Sequence, residues 1–294
     1  MPILTLQTAL APAVWGTTYV VTSELLPPDH PLFAALVRAL PAGLLAVAIS
    51  RRLPHGAWRW KALVLGTLNI GLFFPLLFVT AERLPGGVAA TVGAAQPIVV
   101  AFLAVVVLSE RLSRWRVGWG VVGVMGVGLV VLSGEASIDA VGVLAGLGSA
   151  VVMALGVTLT KRWGRPDDVG PMAFAGWLLT AGGLVLLVPA LVLEGVPSKV
   201  DVGATGGYVW LGIVGGLLAY TLWFRGLRSL PVTATSLLGL LSPLVAAVIG
   251  ALVLHESFAW PQILGFALAL TAMVAGQLTP RRAVRPAVAT GASP

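Results

Sequence analysis

Residues 84–110, LPGGVAATVGAAQPIVVAFLAVVVLSE, and residues 230–256, LPVTATSLLGLLSPLVAAVIGALVLHE, read as one pattern written twice. Leu84–Pro85 answers Leu230–Pro231, Pro97 answers Pro243, Leu108 answers Leu254 and Glu110 answers Glu256, all 146 positions apart. Each stretch is uncharged until its acidic end and long enough for a helix to cross roughly 30 Å of hydrocarbon. The match continues outward at the same offset, with Leu65–Gly66 on Leu211–Gly212 and Phe78 on Phe224. Nearer the start the offset is 140: Gly16 meets Gly156, Pro31 meets Pro171, Gly43 meets Gly183 and Leu44 meets Leu184. The longer connection around residues 192–206 absorbs the difference of six.

The rest of the chain has the same character. Of 294 residues, 58% are hydrophobic and 10% charged, with a mean hydropathy of +0.98. No soluble domain of this length needs so much apolar surface. Apolar segments run over 3–23, 31–50, 62–80, 88–108, 117–134, 140–159, 170–193, 207–224, 232–254 and 260–278. Porin strands would be half as long and would alternate polar with apolar residues. The first segment has no charged n-region or small-residue cleavage site before it, so it reads as a span. The expectation is an all-α membrane protein with ten transmembrane helices. The repeats cover 1–134 and 140–279, and residues 280–294 form a flexible cytoplasmic tail.

Charge sets the orientation. With the N-terminus inside, the cytoplasmic connections hold Arg51, Arg52, Arg59, Lys61, Arg111, Arg114, Arg116, Lys161, Arg162, Arg165, Arg225, Arg228, Arg281, Arg282 and Arg285, which is 15 of 18 basic residues. Arg83 and Lys199 fall on the other side, and Arg38 lies inside a span. That bias predicts both termini in the cytoplasm of a cell with this protein in its inner (plasma) membrane. Five spans per repeat is an odd number, so the second copy enters the membrane inverted. Inverted repeats are the architecture expected of alternating-access transporters, with a site between them near the midplane.

Several functions drop out. The net charge of +7 is scattered over short loops facing anionic lipid, with no soluble segment to form a nucleic-acid groove. There are no cysteines, and His30, His55 and His255 lack metal-ligand spacing, so neither metal nor other cofactor is expected. Gly123-Val-Met-Gly126-Val-Gly128 lies wholly inside an apolar segment and is no dinucleotide loop. No Walker A pattern supports ATP coupling. No span gathers a nucleophile, base and electrophile, so the chain does not read as an enzyme.

APAVWGTTYV (11–20), HPLFAALVRALPAGLLAV (30–47), the stretch 83–132 and the stretch 230–276 together resemble the EamA-like repeats of the drug/metabolite transporter superfamily. The resemblance covers about residues 5–278. It implies the two-repeat fold and a bacterial exporter of amino acids, other metabolites or toxic compounds. The halves depart from each other where Arg38 meets Leu178 and Trp15–Gly16 meets Leu155–Gly156, which implies an asymmetric pocket.

The candidate path follows from residues that are costly in lipid. Arg38 is a full charge roughly 10 Å down a helix from Pro31, and an intramembrane charge costs about 2.5–3.5 kcal/mol on insertion scales. It either attracts a substrate carboxylate, closes an outer gate on an acidic partner, or snorkels as a structural arginine. Trp15 and Tyr19 share one helix face, with Thr18 and Thr22 beside them. Trp177, Tyr220 and Trp223, with Trp210, offer aromatic surface from the second half, though rings also anchor helix ends. Asn69 and Gln96 are amides that must face protein or water, binding solute or tying helices. Pro97 and Pro243 are symmetric bends suited to gating or to packing kinks. His255 beside Glu256 is the candidate proton-responsive pair.

The expectation is a secondary transporter exporting amino acids or related small metabolites. Drug or secondary-metabolite efflux is the alternative, and a non-transporting structural or signalling membrane protein the third. Its expected partners are a small-molecule substrate and the bilayer, with proton coupling and a homodimer left open.

Overall fold

The computed structural model describes residues 2–84, 89, 92–110, 113–131, 139–254 and 259–278. Among these the regular structure is all helical. α1 is Pro2–Trp15 continued by Thr18–Leu25; α2 is Pro31–Ser50, α3 Trp58–Arg83, α4 Gln96–Leu108 and α5 Arg114–Val131. α6 is Ala140–Trp163, α7 Pro171–Glu194 and α8 Val202–Ser229; α9 is Val232–Leu238 continued by Leu241–Leu254, and α10 is Trp260–Gln277. Six of these, α2, α3, α6, α7, α8 and Val232–Gly250 of α9, are long and apolar enough alone to cross a bilayer. Leu44, Leu144, Val188, Val192 and Leu252 stand more than half exposed on their outsides. Such a surface suits lipid, where each backbone polar group must be satisfied within the segment.

Helix starts are fixed by few residues. Pro31 and Pro171 open α2 and α7, where a missing N–H costs nothing. Asp139 accepts from Gly142 N at 2.7 Å and Asp201 from Ala204 N at 2.7 Å, each capping a helix. Glu194, at the end of α7, reaches instead to the start of α2 and accepts from Leu32 N (3.0 Å) and Phe33 N (2.9 Å).

Some helix ends run further than hydropathy indicates. α3 covers 58–83 rather than 62–80, α6 reaches 163 rather than 159, and α8 covers 202–229 rather than 207–224. The added turns are amphipathic. Lys61 Nζ, for instance, lies 5.2 Å from the ring centroid of Trp58 and 5.7 Å from that of Trp163, so a charged residue prolongs the helix while its head leaves the lipid. The first segment breaks at Gly16–Thr17, and α9 breaks at Gly239–Leu240. α3 and α8 carry wide π turns at Thr67–Leu72 and Trp210–Leu218. Shifting the first of these by 146 places it on 213–218, inside the second.

The core is the crossing of α2 and α7. A Cβ on Gly43 would overlap Thr180, one on Gly183 would overlap Leu40, and one on Gly176 would overlap Ala46. As α2 advances through 40, 43 and 46, its partners fall through 183, 180 and 176. The two helices are therefore antiparallel with touching backbones. Gly43 and Gly183 are 140 apart, as are Leu40 and Thr180, so the contact is its own image under a two-fold rotation. Similarly, Gly66 lies against the Leu178 carbonyl and Gly212 against the Arg38 carbonyl. Phe74 and Tyr220, 146 apart, touch each other at 6.0 Å between centroids.

Gly43→Val and Gly183→Val should each lower stability by roughly 1–3 kcal/mol or more through overpacking, read as a drop in the unfolding midpoint of purified protein. Gly250→Val, where a Cβ meets nothing within 4 Å, should stay within about 0.5 kcal/mol.

Candidate functional site

Side chains from the other half close two of the breaks in the helices. In the π turn of α8, the Gly215 carbonyl accepts from Trp15 Nε1 at 2.9 Å and from Arg38 Nη2 at 3.4 Å. At the break in α1, Thr17 Oγ1 accepts from Trp210 Nε1 at 2.8 Å and donates to the Val14 carbonyl at 2.8 Å. π turns of this kind recur at functional sites because they release backbone groups from the helix.

Arg38 is 1% exposed. Its Nη1 lies 3.4 Å from Thr18 Oγ1, and its guanidinium stacks 4.4 Å from the Phe74 ring centroid. Nε has no hydrogen-bond partner. Trp15 packs on Tyr220 at 5.0 Å and on Trp223 at 5.2 Å. The Trp223 N–H is buried and unpaired as well.

These groups surround a cavity of about 90 Å³. α1 lines it with Trp15, Thr18 and Tyr19, α2 with Arg38, and α3 with Phe73, Leu77 and Thr80. Ala89, Gly93, Ala94, Gln96 and Pro97 form one side, and Ser236, Gly239, Leu240, Ser242 and Pro243 of α9 the opposite one. Ser149, Ala150 and Met153 of α6 and Tyr220 and Trp223 of α8 complete it. Eight sequence candidates thus meet here: Trp15, Tyr19, Arg38, Gln96, Pro97, Tyr220, Trp223 and Pro243. A second hollow of about 340 Å³ between α2 and α8 is lined mainly by apolar chains such as Phe33, Val37 and Ile213. It carries no charge and touches one helix pair and its flank, so the central cavity is the better site.

Two candidates stand outside the cavity. Trp177 donates its N–H to the Arg52 carbonyl at 2.7 Å and packs on Trp58 and Phe174, so it closes the α2 C-terminus. Asn69 donates to the Leu65 carbonyl at 2.9 Å and fills the space over Gly156. It sits behind Tyr220, whose hydroxyl points to the Asn69 carbonyl at 3.4 Å. His255 and Glu256 lie outside the described residues. Phe74, Ser149 and Ser236 were absent from the sequence candidates. For Phe74 the signal existed, since it answers Tyr220 in the repeat.

The lining is not symmetric. On α4 and α9 it uses matching positions, 93, 94, 96 and 97 against 239, 240, 242 and 243. On α1 it uses 15, 18 and 19, whose mates are Leu155, Thr158 and Leu159, yet α6 contributes 149, 150 and 153. That displacement is about six residues, or roughly 9 Å along a helix. Thr80 lines the cavity, while its mate Gly226 is covered by Thr8. The cavity therefore extends toward the end of the bundle where α3 finishes at Arg83 and α6 starts after Asp139, and is shut toward Lys161 and Arg228. Lys161 holds that shut end, donating to the carbonyls of Leu227 (2.9 Å), Arg228 (3.0 Å) and Leu230 (2.7 Å). Arg228 pairs with Asp167. Burial first, and the nearby Arg228 second, hold the Arg165 guanidinium below its ordinary pKa, with Asp167 opposing.

The profile of the EamA-like transporter family matches residues 3–132 and again residues 140–275. The chain belongs to that family. It is 42% identical over 264 residues to protein PecM of Dickeya dadantii (strain 3937), covering 90% of this chain and 89% of PecM. It is 30% identical to an uncharacterized transporter of Synechocystis sp., over 90% of this chain and 87% of that one. A solved crystal structure 18% identical aligns over 94% of this chain and 96% of its own with a TM-score of 0.76, a likeness of fold. This EamA-like protein is thus a multi-pass membrane transporter, and the Synechocystis relative is likewise named as a transporter.

Lys161→Met should remove three carbonyl partners and destabilise the protein by roughly 1–3 kcal/mol, measured as the unfolding midpoint against that of Lys161→Arg, which keeps a donor.

Proposed function

We propose that this chain is a secondary transporter that exports amino acids or related small metabolites by alternating access. In this reading ten spans form two inverted five-helix repeats, 1–134 and 140–279, in the inner membrane with both termini cytoplasmic. The observation that carries it is the lopsided cavity: both matched segments line it, but it extends toward only one face. The antiparallel crossing of α2 and α7 supports the inversion, because helices related in this way enter a bilayer from opposite sides. The basic connections lie at the shut end, so the bias of positive charge makes this an outward-facing form. Efflux of drugs draws support from the aromatic walls, but the buried positive charge of Arg38 disfavours lipophilic cations.

The repeat supplies the other form. At the shut end Thr8 seats on Gly226; their mates are Gly148 and Thr80. Thr80 now rests against Gly146, two residues off that pairing, or roughly 3 Å along the helix. Closing the open end slides Thr80 onto Gly148. In the same movement Thr158, the mate of Thr18, comes to the cavity. Its side chain is fully buried and its hydroxyl unpaired in this form.

Counterflow in proteoliposomes loaded with an amino-acid panel should show accumulation, and a panel moving no faster than in protein-free vesicles would refute the transport reading. Gly148→Val, whose Cβ meets only Leu76 at 3.5 Å, should fold normally yet lose most counterflow; full activity would refute the closure. Because the chain has no cysteine, Thr158→Cys can be tested alone. It should react with an impermeant maleimide only from the side that labels His55→Cys and Arg228→Cys, and labelling of those two from opposite sides would break the topology.

A further inference from the structure

Residues lining the cavity carry spare hydrogen-bond donors and a positive charge, and none of the described ones is an acid. Two residues of its lining carry buried N–H groups without partners: Arg38 at Nε and Trp223 at the indole N–H, each on a residue 1% exposed. The Trp15 N–H, by contrast, is committed to the Gly215 carbonyl. The hydroxyl protons of Thr80, Ser149 and Ser236 go to carbonyls of their own helices, at Leu76, Gly146 and Thr233. Arg38's other contacts are long, both at 3.4 Å. No described lining residue is acidic, and residues 85–91 of the sequence contain no acid. Glu24, Asp29, Glu82 and Glu194 lie at helix ends or in connections, beyond the lining.

We propose that the central cavity is a carboxylate site, in which Arg38 and the Trp223 N–H together hold an acidic group on an aromatic or similarly apolar solute, with no ammonium group required. The inference rests on reading the cavity as the solute path. A carboxylate has lone pairs for both unpaired donors, and its charge offsets that of a guanidinium removed from water. An amine of the same shape brings a second positive charge beside Arg38 in a poorly screened site, with no acid to meet it. An amide is neutral and cannot offset the guanidinium. The rings of Trp15, Phe73 and Tyr220 cover the apolar remainder of the solute. Trp15 takes little of the polar recognition, because its one donor is already used.

The test uses the full chain in lipid nanodiscs and four probes on one skeleton: phenylalanine, phenylpropanoate, phenylethylamine and phenylpropanamide. Ligand-induced shifts of the unfolding midpoint and quenching of tryptophan fluorescence give their affinities. Both acids should bind, and the amine and amide should bind about tenfold or more weakly, the equivalent of a hydrogen bond to a charged group. Arg38→Gln should abolish the preference for acid over amide, and Arg38→Lys should restore part of it. Trp223→Phe keeps the ring and removes the donor, so acid affinity should fall several-fold with the amide unchanged. This second variant carries the test if Arg38→Gln does not fold. Amine or amide binding as tight as the acids overturns the proposal. So does an acid preference that survives both variants, or failure of both acids to bind at millimolar concentration. Acid-selective binding without counterflow would leave this site standing and refute the transport reading instead.

Discussion

Two backbones in contact, α2 against α7 at Gly43 and Gly183, fix everything else in this bundle. Helix packing in lipid has little hydrophobic drive and relies on close van der Waals approach. Here that approach leaves no room for a Cβ on either side. Because the contact is its own two-fold image, it also sets the register of the neighbours. α3 sits on the Leu178 carbonyl as α8 sits on the Arg38 carbonyl, and Phe74 meets its own counterpart Tyr220. The frame is symmetric to the level of individual carbonyls. The chemistry placed on it is not: the counterpart of Arg38 is Leu178, and that of Trp15 is Leu155.

That asymmetry has an energetic cost that the structure offsets only in part. A buried arginine costs about 2.5–3.5 kcal/mol on insertion scales, and a desolvated cation over a ring returns about 2 kcal/mol. The stacking of Arg38 on Phe74 supplies that second contribution. The carbonyl freed in the π turn of α8 is shared between Trp15, at 2.9 Å, and Arg38, at 3.4 Å, and Trp15 takes the better geometry. A guanidinium with five donors is left with two long contacts and an unpaired Nε. Its place at the centre is therefore tolerated rather than optimised, the condition in which an arriving anion gains the most.

Much of this was legible in the sequence because polar and ring residues are rare among so many aliphatic ones. Arg38, Gln96 and the two prolines had few alternatives to the centre, since lipid would leave their charge, amide or released carbonyls unsatisfied. Trp15, Tyr220 and Trp223 followed from sharing faces with them. Trp177 shows why aromatic type alone misleads: its N–H serves a helix end at Arg52, and no local pattern encodes a partner 125 residues away. The sequence leaves Asn69 facing either protein or water, and it cannot be told from a cavity residue there, because its role depends on the space above Gly156. The break in α1 was hidden because Gly16–Thr17 is held open by Trp210 from the other half. Lys161 looked like one more basic loop residue. Its three carbonyl partners come from the end of α8 and its exit turn, which hydropathy does not connect to it.

In the alternating-access reading, Lys161 also bears on the balance between two forms. If both ends closed by equivalent contacts, the repeat alone would make the two forms nearly equal in energy. The Thr8–Gly226 contact has such an equivalent in Gly148 and Thr80, differing only in which helix supplies the small residue. The lysine latch has none: the mate of Lys161 is Val21, and the mate of Arg228 is Glu82. In the alternating-access reading, three hydrogen bonds at one end without a counterpart would favour the form described here. A solute can reverse that bias only through greater affinity for the other form or for the occluded one. In that reading Thr158, buried and unpaired here, is the hydroxyl that the proposed opposite-facing cavity would gain. On the proposed mechanism, symmetric packing is what would make the exchange accessible, and the unsymmetric residues what would decide which way it rests.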